Sequence, residues 1–461
     1  MTRAAGLAAS IARPVRPLVD RVFPRGALLL STLTLATYAM GLLRNKVFAS
    51  AYGLGTELDA YLYAFFLPEI VFDVIAASGL TAPFVPILTR LRRDDAASAQ
   101  RFAQTVVTSI VLVMTVVAVV MALLAPWIAD VVAASFDPST KALYANLLRV
   151  AALIQVLFAT SLGLAEILVA DRRFLAYQLA PILYYAGIIA GTFFLHERLG
   201  IWAAAVGAVV GAMLHLGTRV VGVRRIGFPL RPRLAVRTLA FREFVRLMIP
   251  KMASTPIEPI QFQVFNYLAT GLAAGSVGAL SFAKDFQGAP VNVIGASFSL
   301  AVFPVLSMAA AAGDRAQFTA VVRRNLVTVA GLSAIAAVLL VVLGPLFVAF
   351  FRGGAFDAED ERMTLLALGA FALSVPFDAL QYPLSRGLYA TRDTLLQVLA
   401  SFAGLAVSVT VSWTLVGSLG IVAIPVAYAA ATGTKSALMA IALAARIRTM
   451  QPAPFEIDPE G

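Results

Sequence analysis

The chain has 461 residues, of which 60% are hydrophobic and 13% charged, with a mean hydropathy of +0.86. A water-soluble domain with that balance would expose a very large apolar surface, so the composition excludes the soluble classes and predicts an integral membrane protein. The net charge of +11 and pI near 10.1 would point to nucleic acid in a soluble protein. In a membrane protein the arginines are first assigned to loops, where they set topology, and no nucleic-acid partner is expected. The chain contains no cysteine, which excludes disulfides, thiolate chemistry and Cys-bound metals.

Runs of about 20 or more apolar residues recur between residues 27 and 446, without the period-two alternation of an outer-membrane barrel. The predicted fold is an all-α polytopic membrane protein of about twelve transmembrane helices, roughly 27–52, 58–90, 100–134, 140–170, 174–196, 200–222, 241–271, 276–311, 316–350, 362–390, 394–417 and 419–446. Arg3, Arg13, Arg16, Arg21 and Arg25 precede the first apolar run, which has no cleavage site after a short core and reads as a retained span with a cytoplasmic N-terminus. The even-numbered connections then face the cytoplasm. They collect Arg90, Arg92 and Arg93; Arg172 and Arg173; Arg224, Arg225, Arg231, Arg233 and Arg237; Arg315, Arg323 and Arg324; Arg392; and Arg446 and Arg448. The outer connections are short and poor in positive charge apart from His196, Arg198, Arg352 and Arg362. Both termini are expected on the cytoplasmic side of the membrane.

The longest polar connection, near Gly222–Ala240, contains Pro229 and Pro232 and divides the helices six and six. The expected organisation is a basic N-terminal segment 1–26, a six-helix lobe 27–222, a cytoplasmic linker 223–240, a second lobe 241–447 and a tail 448–461. The halves resemble each other: GLAEILVADRRFLAYQLA at Gly163–Ala180 matches the spacing of PLSRGLYATRDTLLQVLA at Pro383–Ala400, and FVPIL at Phe84–Leu88 recurs as VFPVL at Val302–Leu306. An even number of spans per half makes the repeat parallel, with a cavity expected between the lobes. Pro68, Pro83 and Pro86 in the second span, Pro250, Pro256 and Pro259 in the seventh, and Pro290 and Pro304 in the eighth predict bent helices, which are tolerated beside a polar interior.

Ionisable residues inside apolar spans cost at least a few kcal/mol and are usually kept for a cavity or a path. The first span holds Arg44 and Lys46, about 26 Å and 29 Å from Ala27; Lys46 can snorkel outward, Arg44 less easily. In the second span Asp59 lies near the outer end, while Glu69 and Asp73 stand four residues apart on one expected helical face, where two acids do not both ionise readily. These are candidate proton or cation sites, and the bland alternative is a static ion pair with Arg44 or Lys251. The seventh span offers Lys251 and Glu258, seven residues apart and expected on a similar face, and the eighth the adjacent Lys284 and Asp285, which point in different directions. Arg44, Lys46, Lys251 and Lys284 are the candidate ligands for an anionic head group; Asp59, Glu69, Asp73, Glu258 and Asp285 are candidate coupling or cavity-lining groups. Mutual charge balance is the competing explanation. His196 and His215 lack a third ligand, so no metal is expected; Trp127 and Trp202 read as interface anchors; Glu166 and Arg386 read as polar contacts within each lobe. No phosphate loop, nucleophile elbow or HExxH is present, so the chain reads as no enzyme and as needing no cofactor, with coupling expected to protons, a monovalent cation or the membrane potential.

The chain resembles the MurJ (MviN) family of lipid II flippases, within the multidrug/oligosaccharidyl-lipid/polysaccharide exporter superfamily. The resemblance rests on GLLRNKVFASAYGLGTELDAYLYAFFLPEI at Gly41–Ile70, APFVPIL at Ala82–Leu88, RLMIP at Arg246–Pro250, FRGGAFDAED at Phe351–Asp360 and GLYATRDT at Gly387–Thr394. It implies transport of an undecaprenyl-pyrophosphate-linked peptidoglycan precursor to the outer leaflet by alternating access, through a cationic cavity formed by the first, second, seventh and eighth spans. It also implies contact with cell-wall synthesis proteins. Arg44 and Asp59 match residues of the family pattern, whereas further family arginines fall on Tyr38, Phe72 and Asp285. Family members usually carry one more helix pair than the number predicted here. The rival readings are an exporter of another polyprenyl-linked glycan and a non-transporting scaffold of the same fold.

Overall fold

The computed structural model describes residues 25–450 apart from 172, 255–256 and 392–394. Most of the basic N-terminal segment, with Arg3, Arg13, Arg16 and Arg21, lies outside the described residues, as do Arg172, Pro256, Arg392 and the tail beyond Met450.

Helices form wherever the apolar runs are, and small polar devices end them. Helix α1 (Arg25–Tyr52) stops at Gly53, which takes a φ of 62° and closes the last turn on the Ala49 carbonyl at 2.9 Å, as expected of a glycine just past a helix end. Helix α2 (Thr56–Phe72) opens with Glu57 and Asp59 in its first turn, where acids oppose the helix dipole. It widens into a π-helical segment, Asp73–Ala77, and continues as α3 (Ser78–Asp94). Then follow α4 (Ala96–Val132), α5 (Pro138–Ala170), α6 (Phe174–Leu199) and α7 (Trp202–Arg225). Helix α5 begins with Pro138 at a position where its missing N–H costs nothing, just after Asp137, whose Oδ1 accepts from the Ser139 and Thr140 amides at 3.0 and 3.1 Å.

Further along are α8 (Leu239–Ser254), α9 (Ile257–Ala269), α10 (Ser276–Pro290), a second π-helical segment Val291–Ala296, α11 (Ser297–Ala311), α12 (Arg315–Val342) and the short α13 (Gly344–Ala349). The chain closes with α14 (Ala358–Ala372), α15 (Val375–Ala390), α16 (Leu395–Leu419) and α17 (Ala423–Thr449). No strand occurs among the described residues; Gly353 and Phe356 form an isolated bridge. Helix occupies each predicted span among the described residues, but four are not uniform. The ranges 58–90 and 276–311 each change to π pitch, 316–350 is interrupted at Leu343 between α12 and α13, and 362–390 bends by 42° between α14 and α15. Eight stretches of the described residues are long and apolar enough to cross a membrane, nine if that bent pair is one span.

The chain groups into two compact units. One comprises the residues up to Val47, Val71–Leu124 and Leu148–Ala253; the other comprises Phe48–Ile70, Ala125–Leu147 and the residues from Ser254 onward. The first is organised on Leu80, Phe84 and Leu88 of α3, which meet Phe102 of α4, Ile167 of α5 and Phe244 of α8; Phe84 stacks on Phe102 with ring centres 5.5 Å apart. In the same unit α6 and α7 approach backbone to backbone, since a Cβ on Gly187 would lie 2.4 Å from the Gly211 Cα. Small residues permit such contact between membrane helices. The core of the second unit includes Leu306, Phe318, Leu384, Leu388, Met439 and Leu443.

In the second unit the loop before α14 is tied to the end of α1. The Ala355 amide donates to the Ser50 carbonyl at 2.9 Å and the Leu54 amide to Asp360 Oδ2 at 2.9 Å. Gly354 has φ of 65°, and a Cβ there would fall 2.0 Å from the Ser50 oxygen, so the FRGGAFDAED motif is a conformational requirement of this clasp.

Candidate functional site

The densest polar arrangement inside the apolar helices lies in the second unit, around Lys284. Lys284 and Gln287 are three residues apart on α10 and therefore share a face. Lys284 Nζ donates to Gln287 Oε1 at 2.7 Å and to Tyr428 Oη at 2.9 Å, and sits 4.3 Å above the Tyr428 ring and 5.4 Å from the centre of Phe262. Asp378, on the first turn of α15, supplies the counter-charge. Its Oδ2 accepts from Tyr428 Oη at 2.8 Å and Gln287 Nε2 at 3.0 Å, with Lys284 Nζ at 3.6 Å. Gln287 Nε2 also reaches Ser374 Oγ at 3.0 Å. An ammonium and a carboxylate thus neutralise each other, with hydrogen bonds on their remaining valences, which offsets the cost of withdrawing a partly buried pair from water.

A cavity of about 170 Å³ opens beside this network, lined by Glu258, Gln261, Asp378, Gln397, Tyr428 and Lys435 among others. Glu258, exposed at the start of α9, lines this cavity, whereas Asp285, exposed on α10, is not among the residues that line it. Two acids and a lysine around a space with room for several waters can hold a charged group or exchange a proton. Among the described residues no serine or threonine hydroxyl hydrogen-bonded to an activating base lines this cavity. The sequence reading picked out Lys284 and Glu258 but passed over Asp378, Tyr428, Gln287 and Lys435. Asp378 and Lys435 stood in apolar context as plainly as Glu69 did, and the rule that selected one selects all three.

In the first unit, Arg44 is half-buried on α1. Its Nε and Nη2 donate to Asn45 Oδ1 at 3.0 and 2.7 Å, and its guanidinium lies 5.3 Å from the centre of the Tyr185 ring. Lys46 is half-buried on the same helix, and Asp73, also half-buried, opens the first π segment. The Lys251 side chain lies outside the described residues, although its backbone belongs to α8.

Lys251 and Glu258 stand on either side of residues 255 and 256, so the face expected to carry both lies outside the described residues. One geometric expectation needs correction. Glu69, exposed near the end of α2, and Asp73 do not belong to one regular helix, because α pitch ends at Phe72. Asp59 is 2% exposed, and its two oxygens accept from the Gly275 and Gly278 amides at 2.8 Å each. It therefore caps the N-terminus of α10 from another helix.

A second buried group in the first unit contains Glu166 and Arg219. Ser161 Oγ is 2.9 Å from His215 Nδ1, and the Arg219 guanidinium lies over Tyr177 at 5.2 Å. His196 bonds its own helix at the Thr192 carbonyl, 3.1 Å away. Arg386 packs over Phe303 at 5.2 Å within the second unit.

Comparison with known proteins gives a consistent result. The family model described as "Lipid II flippase MurJ" matches residues 48–456. A probable lipid II flippase MurJ of Borreliella burgdorferi is 24% identical over 382 residues, covering 80% of this chain and 74% of that protein. The lipid II flippase MurJ of Burkholderia cenocepacia is 24% identical over 379 residues, covering 80% and 73%. Among solved structures, a lipid II flippase MurJ in an inward closed conformation superposes with a TM-score of 0.78 at 21% identity, over 92% of this chain and 90% of that one. An inward-facing multidrug transporter of the MATE family follows at 0.75 and 13%, over 90% and 96%. At these identities the structural likenesses establish the fold alone. The family match covers most of the chain, and the protein is a member of the lipid II flippase MurJ family.

Proposed function

We propose that this protein carries lipid II, an undecaprenyl-pyrophosphate-linked peptidoglycan precursor, from the inner to the outer leaflet of a bacterial cytoplasmic membrane by alternating access. The observation that carries this reading is the family match over residues 48–456. Arg44 is the residue best suited to meet the pyrophosphate. A guanidinium presents a planar fork to phosphate oxygens and stays charged when partly desolvated, and this one is half-buried on an apolar helix. The arginine distribution supports cytoplasmic N- and C-termini. Reorientation is coupled to a proton, a monovalent cation or the membrane potential, for which Glu258 at the polar cavity is better placed than Asp59, whose oxygens are engaged in a helix cap. Cell-wall synthesis proteins are the partners such a reaction would feed.

A leaflet-accessibility assay with lipid II in proteoliposomes tests this directly. Wild type is expected to move the head group, and Arg44→Ala to do so at least roughly tenfold more slowly, the scale of losing a charged hydrogen bond. Absence of translocation by wild type would overturn the proposal. A second reading, export of another polyprenyl-linked glycan, is favoured by Tyr38, Phe72 and Asp285 standing where the resemblance places arginines. Selective movement of such a glycan would establish it.

A further inference from the structure

The connection between α7 and α8 is not a loose loop. Residues 226–238 run as a strap along α4, tied by Gln104 Nε2 to the Pro229 carbonyl at 2.8 Å, by the Arg233 amide to Thr108 Oγ1 at 3.0 Å and by the Ala235 amide to Thr105 Oγ1 at 3.2 Å. Behind the strap lies a groove of about 440 Å³ within the first unit. Val107, Val111, Leu164, Ile167, Val220 and Leu230 form much of its wall, and Arg231 stands at its edge. The polar side chains in this wall are already occupied. Gln104 and Thr108 hold the strap, and Thr160 Oγ1 donates to the Val156 carbonyl at 2.8 Å. What the groove offers is apolar surface and one guanidinium.

The charge around it is all of one sign. Arg224, Arg225, Arg231, Arg233 and Arg237 occur within 14 residues, all are exposed, and none makes a side-chain hydrogen bond or ion pair among the described residues. Leu230, Leu234 and Val236 alternate with these arginines and are 38%, 56% and 46% exposed. A strap whose apolar residues and arginines are both uncovered fits the boundary between acyl chains and head groups, where arginine clusters next to a membrane helix attract anionic lipid.

We infer that this strap and groove form a binding site for an anionic glycerophospholipid, with one acyl chain behind the strap and the phosphate at Arg231 and Arg233. An apolar groove alone would take any chain. The unpaired guanidiniums select the acidic head group, each contributing about a fivefold preference by its proximity to the membrane surface. The inference stands on the first unit alone and does not depend on the proposed transport of lipid II.

The test uses the full chain in nanodiscs and a tryptophan placed in the groove, Leu230→Trp, quenched by phosphatidylglycerol or phosphatidylcholine with brominated acyl chains. The signal from the native Trp127, Trp202 and Trp413 is subtracted using the unsubstituted protein. Half-quenching is expected at a phosphatidylglycerol fraction at least about fivefold lower than for phosphatidylcholine, with the difference lost in Arg231→Gln/Arg233→Gln and retained in Arg323→Gln/Arg324→Gln. Equal quenching by the two lipids would overturn the site. So would an equal loss in both arginine double variants, which would reduce the effect to diffuse surface charge, or displacement by undecaprenyl phosphate in preference to phosphatidylglycerol. Native mass spectrometry of the unmodified protein gives an independent reading. Retained phosphatidylglycerol should fall several-fold in the groove-filling Val111→Trp, and undiminished retention counts against the proposal.

Discussion

Lys284 illustrates how a single side chain can be identified correctly and understood incompletely. Its position in an apolar span marked it as costly, but the price is met by Asp378, ninety-four positions later, with Tyr428 and Gln287 completing the network. Nothing in the local sequence announces that pairing. Removing one partner leaves an uncompensated charge, so Asp378→Ala should destabilise the protein by roughly 3 kcal/mol, whereas the double variant Lys284→Met/Asp378→Leu should regain most of that loss. Thermal unfolding in detergent will show this, and a double variant as unstable as the single one would refute the pairing argument. Asp59 carries a related lesson. The sequence shows a lone acid on α2; only the fold shows that it receives the amides that begin α10. Asp59→Ala should cost about 1–2 kcal/mol, the scale of a lost helix cap, with Asp59→Asn intermediate.

Helix positions were legible because the period of the apolar runs and the residues that stop them act locally; helix pitch was less so. Both π segments lie inside spans that read as continuous, and they begin at the same offset from the recurring motifs, eleven residues before Phe84 and before Val302 (73 to 84, 291 to 302). A wide turn depends on side chains packed around it and leaves no composition signal. End signals were more transparent. Hydrogen bonds from the Ser139 and Thr140 hydroxyls, together with the Thr140 and Ser139 amides, hold the Asp137 carboxyl well below the usual range. A depressed folded value gives stability that is present above about pH 4, where the unfolded acid also ionises, and is lost as pH falls through the folded value. Thermal scans of wild type and Asp137→Ala should therefore differ by a constant amount from pH 7 down to about pH 5, and the difference should begin to shrink below about pH 4 while still being present at pH 3. At the α14 clasp, Gly354→Ala should cost roughly 2 kcal/mol or more from the left-handed backbone and the Ser50 carbonyl together, measurable by the same scans.

At the scale of the molecule, the membrane class and helical architecture follow from composition and run length, and the arginine pattern carries the orientation proposed above. Because the chain has no cysteine, single introduced cysteines will report that orientation without background. With the proposed cytoplasmic N-terminus, Gly227→Cys on the strap should react with an impermeant maleimide only after spheroplasts are opened, and Gly353→Cys should react in intact spheroplasts. The reverse pattern would invert the topology. The grouping of residues into two compact units was harder to read, because the dividing points include positions within continuous helices, such as Val47 to Phe48 in α1 and Ile70 to Val71 in α2. A continuous apolar run carries no mark where its packing partners change.

The wide turn at Asp73–Ala77 also sets a rule for chain length. An extra residue in one turn rotates everything beyond it by about 100° relative to a regular helix. The later part of that span bears Arg90, bidentate to Glu243, and Arg92, which reaches Asp171 at 2.9 and 3.1 Å. Deleting a single residue between positions 73 and 77 would swing both arginines more than a quarter-turn away from those acids while leaving every side chain chemically intact. In this stretch the count of residues is itself information, as constrained as the identity of any residue within it.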